Sequence, residues 1–200
     1  MRKSKKFIAG LMVMGLVAST AFPTGLSITS LAGVSVYADT ESTVTSQGRC
    51  GDNATYRYDS KTKTLTVSGA GAMWDDYGFA KLLTDTKKIV IEKGIQSIGS
   101  YSFDNLKNVT EVVIADTVTT IKSNAFEYIN GTVEIPKSVV KVEQNAFSDA
   151  KKFVIYGDVK GYETSAFGYC NDTEVVLHGE AQDLGKALYI NGGNITVTIA

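Results

Sequence analysis

One hydrophobic pattern recurs down the second half of the chain. In "IVIEKGIQSIGSYSF" (Ile89 to Phe103), apolar residues fall at Ile91, Ile95, Ile98 and Phe103. The same offsets of four, seven and twelve recur at Ile114, Val118, Ile121 and Phe126, at Ile135, Val139, Val142 and Phe147, and at Ile155, Val159, Tyr162 and Phe167. A fifth unit, "VVLHGEAQDLGKAL", runs from Val175 through Leu177 to Leu188 and is one residue short; "VTIA" at Val197 to Ala200 supplies a closing strand. Strand-to-strand periods are 23, 21, 20, 22 and 22 residues. A small residue precedes each phenylalanine (Ser102, Ala125, Ala146, Ala166), and a residue of core type stands three places after it (Leu106, Ile129, Ala150, Cys170). Periods of this length mark a solenoid, in which no unit buries enough apolar surface to fold alone and each is completed by its neighbours. The pattern predicts stacked parallel strands with Ile91, Ile114, Ile135, Ile155 and Leu177 inward, and with Phe103, Phe126, Phe147, Phe167 and Leu188 filling the coil.

Strand alternation points the intervening residues outward. These are Val90, Val113, Glu134, Val154, Val176 and Thr198, flanked on one side by Lys88, Glu111, Thr132, Lys152, Glu174 and Thr196, and on the other by Glu92, Ala115, Pro136, Tyr156 and His178. Four valines of six on a face that should meet water reflect either plain β-propensity or an apolar stripe with a polar rim, as at a binding surface. Upstream, "TYRYDSKTKTLTVSG" alternates and turns at Asp59 to Lys63, predicting a β-hairpin. "YGFAKLLTDTKK" (Tyr77 to Lys88) predicts a short amphipathic helix, with Trp74, Tyr77 and Phe79 covering the apolar end of the first repeat. The closing strand presents an open parallel edge, so self-association through it is expected, or else fraying.

The repeat units resemble the BspA-type leucine-rich repeat, whose pattern is similar to I-x-I-P-x-S-V-x-x-I-x-x-x-A-F-x-x-C. "VEIPKSVVKVEQNAF" (Val133 to Phe147) follows it almost throughout, and Cys170 stands where that pattern has cysteine. The resemblance covers Ile89 to Ile199, and "CGDNATYRYDSKTKTLTVSGAGAMWDD" resembles the N-terminal cap that often precedes such repeats. It implies an α/β solenoid: a right-handed leucine-rich-repeat coil with one parallel β-sheet behind a hairpin-and-helix cap. It also implies a secreted or cell-surface bacterial protein that binds proteins or cell surfaces in the manner of an adhesin, without catalysis or cofactor. The contact face would be Val90, Val113, Glu134, Val154, Val176, Tyr156 and His178. A carbohydrate-binding module stacking glycans on Trp74, Tyr77 and Tyr156 is the alternative.

The ends and composition fit export. Arg2, Lys3, Lys5 and Lys6 precede an apolar run from Phe7 to Phe22, and Val36-Tyr37-Ala38 has the small or apolar residues a signal peptidase reads, so residues 1–38 read as a signal peptide. Residues 39–48 then form a polar spacer, 49–88 the cap, and 89–200 the repeats. No other stretch is apolar enough to span a membrane, and no surface-anchoring motif is visible. Charges nearly balance, with 20 Lys+Arg against 21 Asp+Glu, and there is no basic stripe of the kind nucleic acid needs.

Candidate chemistry is sparse. His178 is the only histidine, so every triad or zinc scheme must use it, and the repeat map sets no serine or cysteine beside it. It reads as an exposed face residue, and no catalytic or metal site is assigned. "SGAGAM" (Ser68 to Met73) lacks the third glycine and the βαβ context of a dinucleotide loop, and reads as a turn leaving the hairpin. Asp75 and Asp76 are too few for calcium and read as a solvated loop. Cys50 and Cys170 would meet only if the cap folded back along the stack, so no disulfide is expected. The sequon asparagines Asn53, Asn108, Asn130, Asn171 and Asn194 read as turn residues.

Overall fold

The structure is a computed structural model. It describes residues 27–31, 34–38, 44–75, 79–81, 83–169, 172–180, 182–188 and 194–200. The chain divides into two units, Met1–Ser42 and Thr43–Ala200. In the first, β1 (Ser27–Leu31) pairs antiparallel with β2 (Val34–Ala38). The charged start and apolar run read as a signal lie outside the described residues, as do Asp76, Tyr77, Cys170 and Asn171.

The second unit is a parallel β-solenoid of about six turns. It begins with three antiparallel strands, β3 (Val44–Arg49), β4 (Gly51–Asp59) and β5 (Thr64–Met73). The β4–β5 turn lies where the sequence puts it. The Asp59 carboxylate accepts hydrogen bonds from the N–H groups of Lys61 (2.8 Å) and Thr62 (3.0 Å), and Lys63 is left-handed at φ 55°. Two expectations change here. The polar spacer gives way at Val44, where β3 satisfies the free edge of β4. "SGAGAM" is the bend inside β5, not a turn after it. Gly69 (φ 113°) cannot carry a side chain there, since a Cβ would lie 2.1 Å from the Asn53 carbonyl oxygen.

That bend makes β5 the first rung of the coil. Its Thr64–Val67 half pairs with β6 (Lys88–Ile91), and Gly71 and Ala72 pair with β7 (Ile95–Ile98). From β6 a long parallel ladder continues through β8 (Glu111–Ile114), β10 (Thr132–Ile135), β12 (Lys152–Ile155), β13 (Thr173–Leu177) and β14 (Ile195–Ile199). The expectation of one parallel sheet is too few. From β7, a second ladder runs through β9 (Thr120–Ile121) and β11 (Lys141–Val142) and reaches Tyr162 by a single bridge. The offset-seven residues are therefore strand residues of a second face.

The α/β description and the Tyr77–Lys88 helix also need correcting. Among the described residues the one helix is a single turn, α1 (Leu184–Ala187). The chain before β6 runs in turns, with the Leu83 N–H on the Ala80 carbonyl (2.8 Å) and the Thr86 N–H on the Leu83 carbonyl (3.0 Å). Thr86 is buried, and its hydroxyl takes the same Leu83 carbonyl at 2.6 Å, while Asp85 is drawn to Tyr58 and Lys63. These local bonds compete with helix geometry. On the third side of the coil, helix growth is blocked by left-handed residues placed two before each phenylalanine (Tyr101, Asn124, Asn145, Ser165) and two after it (Asn105, Tyr128, Asp149, Tyr169). The N–H groups of Tyr101, Asn105, Asn124, Tyr128, Asn145, Asp149 and Ser165, and those of the phenylalanines, point along the coil instead. Phe103 donates to the Ala125 carbonyl, Phe126 to Ala146, Phe147 to Ala166 and Phe167 to Ala187.

The interior matches the pattern read from the sequence. Ile91, Ile114, Ile135, Ile155 and Leu177 are buried, as are all four repeat phenylalanines, while Leu188 packs half-buried against them. The phenylalanine rings form a continuous file. Centroids lie 5.1 Å apart for Phe103–Phe126, 5.3 Å for Phe126–Phe147 and 5.6 Å for Phe147–Phe167. Phe79 extends the file at the β4–β5 end, 5.7 Å from Phe103 and 4.7 Å from Tyr56, whereas Trp74 faces solvent. At the other end, Val197 and Ile199 of β14 stay 42% and 71% exposed.

Among the sequon asparagines, Asn53 lies in β4. Asn108 and Asn130 donate side-chain amide hydrogen bonds to the Thr84 and Lys107 carbonyls, 24 and 23 residues earlier.

Candidate functional site

The long ladder fixes which side chains share its outer face. Register pairs Thr66 with Val90, Val90 with Val113, Val113 with Glu134, Glu134 with Val154, Val154 with Val176 and Val176 with Thr198. The central column is therefore hydrocarbon interrupted once, at Glu134. Val113 is 39% exposed, and Val90, Val154 and Val176 are half-buried. One flank is charged and pairs rung to rung. The Lys88 ammonium meets Glu111 at 2.6 Å and the Lys152 ammonium meets Glu174 at 2.8 Å. Exposed pairs like these add little to stability. Their aliphatic stems nonetheless line the valines and put a polar margin beside them. On the other flank, Tyr156 is 45% exposed and its ring stacks on His178 at 5.0 Å and 11°. All seven residues expected to form the contact surface thus lie on one face, which also carries Ala115 and half-buried Pro136.

Toward β5 the same face becomes polar. A shallow groove of about 560 Å³ is lined by Arg57, Asp59, Thr62, Thr64, Thr66, Ser68, Lys88 and Glu92. The sequence reading passed over this groove. Its signal was the alternation of Thr64, Thr66 and Ser68 along β5, which puts three hydroxyls on one side of the hairpin, with Thr62 of the turn beside them.

Of the aromatic residues considered for glycan stacking, Tyr77 lies outside the described residues, and Trp74 and Tyr156 do not converge. Tyr156 follows β12 at the corner between the two ladders. Trp74 follows β5 at the next corner, where its indole N–H donates to Asp52 (3.1 Å) and the Arg49 guanidinium lies 5.3 Å from its ring. His178 has Tyr156 as its ring neighbour, and among the described residues no three His, Cys, Asp or Glu side chains gather to hold a metal ion. No helix among them is long and apolar enough to cross a membrane. Cys50 is buried.

Asp75, expected as a solvated loop residue, instead ties rungs together. It accepts the Ser100 N–H at 2.8 Å and the Lys122 ammonium at 2.9 and 3.1 Å, and these bonds hold its carboxyl below the usual carboxylate range. Asp85 is lowered by hydrogen bonds from Lys63 and then Tyr58. Partial burial pushes Glu143 up, but hydrogen bonds from Lys141 and the Ser123 backbone outweigh it, and the net shift is downward. Carboxyl groups lowered in the folded state stabilise it above their unfolded pKa of about 4, and that contribution is lost as the pH falls through their folded values. The melting temperature is therefore expected to be level from about pH 5 to 8 and to drop below about pH 4. Asp75→Asn should shorten the drop and lower the neutral plateau by a few degrees at most, because the pair faces solvent. A variant that melts like the wild type at every pH would contradict this role for Asp75.

Comparison with known proteins places this geometry. No curated protein matches the chain. A solved structure that resembles it is a leucine-rich repeat protein from Eubacterium ventriosum ATCC 27560, determined by crystallography at 2.50 Å resolution. It is 22% identical with a TM-score of 0.56, and the match covers 76% of this chain and 44% of that one, a likeness of fold. The BspA type leucine-rich repeat region matches in six copies across residues 74–196. With most of its length in these repeats, the chain belongs to the BspA-type leucine-rich repeat family.

Proposed function

We propose that this protein is a secreted or cell-surface bacterial binding protein, adhesin-like and non-catalytic, that recognises a protein or cell-surface ligand through the outer face of its long sheet. Leucine-rich-repeat domains generally bind proteins and are generally not enzymes. The observation that carries the reading is the stripe of Val90, Val113, Val154 and Val176 beside solvent-facing Tyr156, bordered by the Lys88–Glu111 and Lys152–Glu174 pairs. An apolar centre with a polar rim is the usual anatomy of a protein interface. The exported state rests on the signal-like first 38 residues, and N-terminal sequencing of the secreted protein should begin at Asp39. Pairing between copies through β14 belongs to the same proposal; a monomer in light scattering at every concentration would remove it.

A second reading is carbohydrate binding. The hydroxyl-lined groove at Thr62, Thr64, Thr66 and Ser68 favours it. Separation of Trp74 from Tyr156 counts against the stacking platform first envisaged. Binding of the full chain to immobilised extracellular-matrix proteins and mucin, run beside a glycan array, distinguishes the two. Saturable binding to protein, retained after glycan removal, is expected. Binding confined to glycans would replace the first reading with the second.

A further inference from the structure

We infer that Glu134 is a specificity-determining anchor, and that the partner is an extended polypeptide segment presenting one lysine or arginine between aliphatic side chains. This rests on the proposed binding face and adds the chemistry of what occupies it.

Glu134 stands between Val113 and Val154 on the adjoining rungs, about 4.8 Å to either side, with Thr132 on β10 and Pro136 just past its end as its outward neighbours along the chain. No cation lies beside it in that set. The two carboxylates of the ladder's charged flank are matched, Glu111 by Lys88 at 2.6 Å and Glu174 by Lys152 at 2.8 Å, which also commits both lysines. Among the described residues no ion pair or hydrogen bond engages the Glu134 carboxylate. The outer face of β6 to β13 thus carries Glu92, Glu111, Glu134 and Glu174 against Lys88 and Lys152, an acidic excess of two, Glu92 past the end of β6 and Glu134 in the middle of the apolar column.

A partner that covers Val113 and Val154 also takes water from Glu134. Stripping an ionised carboxylate of water without a counter-charge cancels the gain from covering the valines. A segment with an acidic or purely aliphatic residue at that position is therefore rejected. A lysine or arginine there neutralises the carboxylate while its methylene stem lies on the flanking valines. The apolar column supplies area, and the lone charge supplies register and selectivity.

The test pans a random dodecapeptide display library against the full chain and measures the selected peptides on wild type, Glu134→Gln, Glu134→Lys and Val113→Asp/Val154→Asp, each checked by thermal melting. Enriched peptides are expected to carry one Lys or Arg among aliphatic residues. They should lose at least about tenfold in affinity on Glu134→Gln and all detectable binding on Glu134→Lys. Exchanging the peptide's basic residue for glutamate should restore binding to Glu134→Lys. Peptides that fail on the double aspartate variant but bind Glu134→Gln as well as wild type would overturn the anchor and leave the face standing. A library returning no peptide sensitive to the double variant would overturn the face and the anchor together.

Discussion

Phe126→Ala is expected to destabilise the fold by about 3–5 kcal/mol, the usual cost of emptying a buried phenylalanine site. Phe126 is fully buried between Phe103 at 5.1 Å and Phe147 at 5.3 Å, with interplanar angles of 14° and 0°. Truncation removes one ring and leaves two others facing a void that the ladders on either side prevent from closing. The N–H of the same residue holds the next rung through the Ala146 carbonyl, so backbone and side chain act at one point. In a solenoid, stability is a sum over neighbouring rungs, and a weak central interface uncouples the two ends. Differential scanning calorimetry should therefore show the midpoint falling by roughly 10 °C and the transition broadening. Phe79→Ala, at the half-buried end of the file, should cost less. A Phe126→Ala protein that melts within a degree or two of wild type would show that the file does not hold the coil together.

The second large effect concerns recognition. Val113→Asp with Val154→Asp is expected to weaken binding to an immobilised matrix protein by at least about tenfold, since it places two charges in the centre of the proposed contact. The fold should persist. Both side chains point outward from strands whose inward partners, Val112, Ile114, Phe153 and Ile155, are untouched, and β-propensity differences at such sites span only about 1 kcal/mol. Unchanged binding by a folded double variant would remove the valine stripe from the mechanism.

The coil was legible because its packing is one-dimensional. A residue that must be inward in one rung is inward in all, so Ile91, Ile114, Ile135, Ile155 and the phenylalanines declare themselves by recurrence. The outer column followed by alternation. The second ladder was less visible because β9 and β11 have two residues each, too few to show alternation. The segment before β6 was misread because Phe79, Ala80 and Leu83 suggest an apolar helical face. Asp85 and Thr86 decide it, through hydrogen bonds to Tyr58 and Lys63 and to Leu83. Contacts between rungs were hidden for a related reason. Asp75 meets Ser100 and Lys122, 25 and 47 residues away, and nothing local in "WDD" points to either. The same holds for the rim pairs, whose members were visible as a charged column but not as partners, and for Glu134, whose isolation shows only once its neighbours are matched.

Central to recognition, as proposed, is that partners are held by the outer face of the long sheet. Valine-methyl-labelled protein titrated with a matrix protein it binds tests this most directly. The methyl resonances of Val90, Val113, Val154 and Val176 should shift together, while buried Val112 and Val133 move little and Val140, 64% exposed at another corner of the coil, stays in place. Shifts confined to Val140, with the four outward valines unmoved, would contradict it.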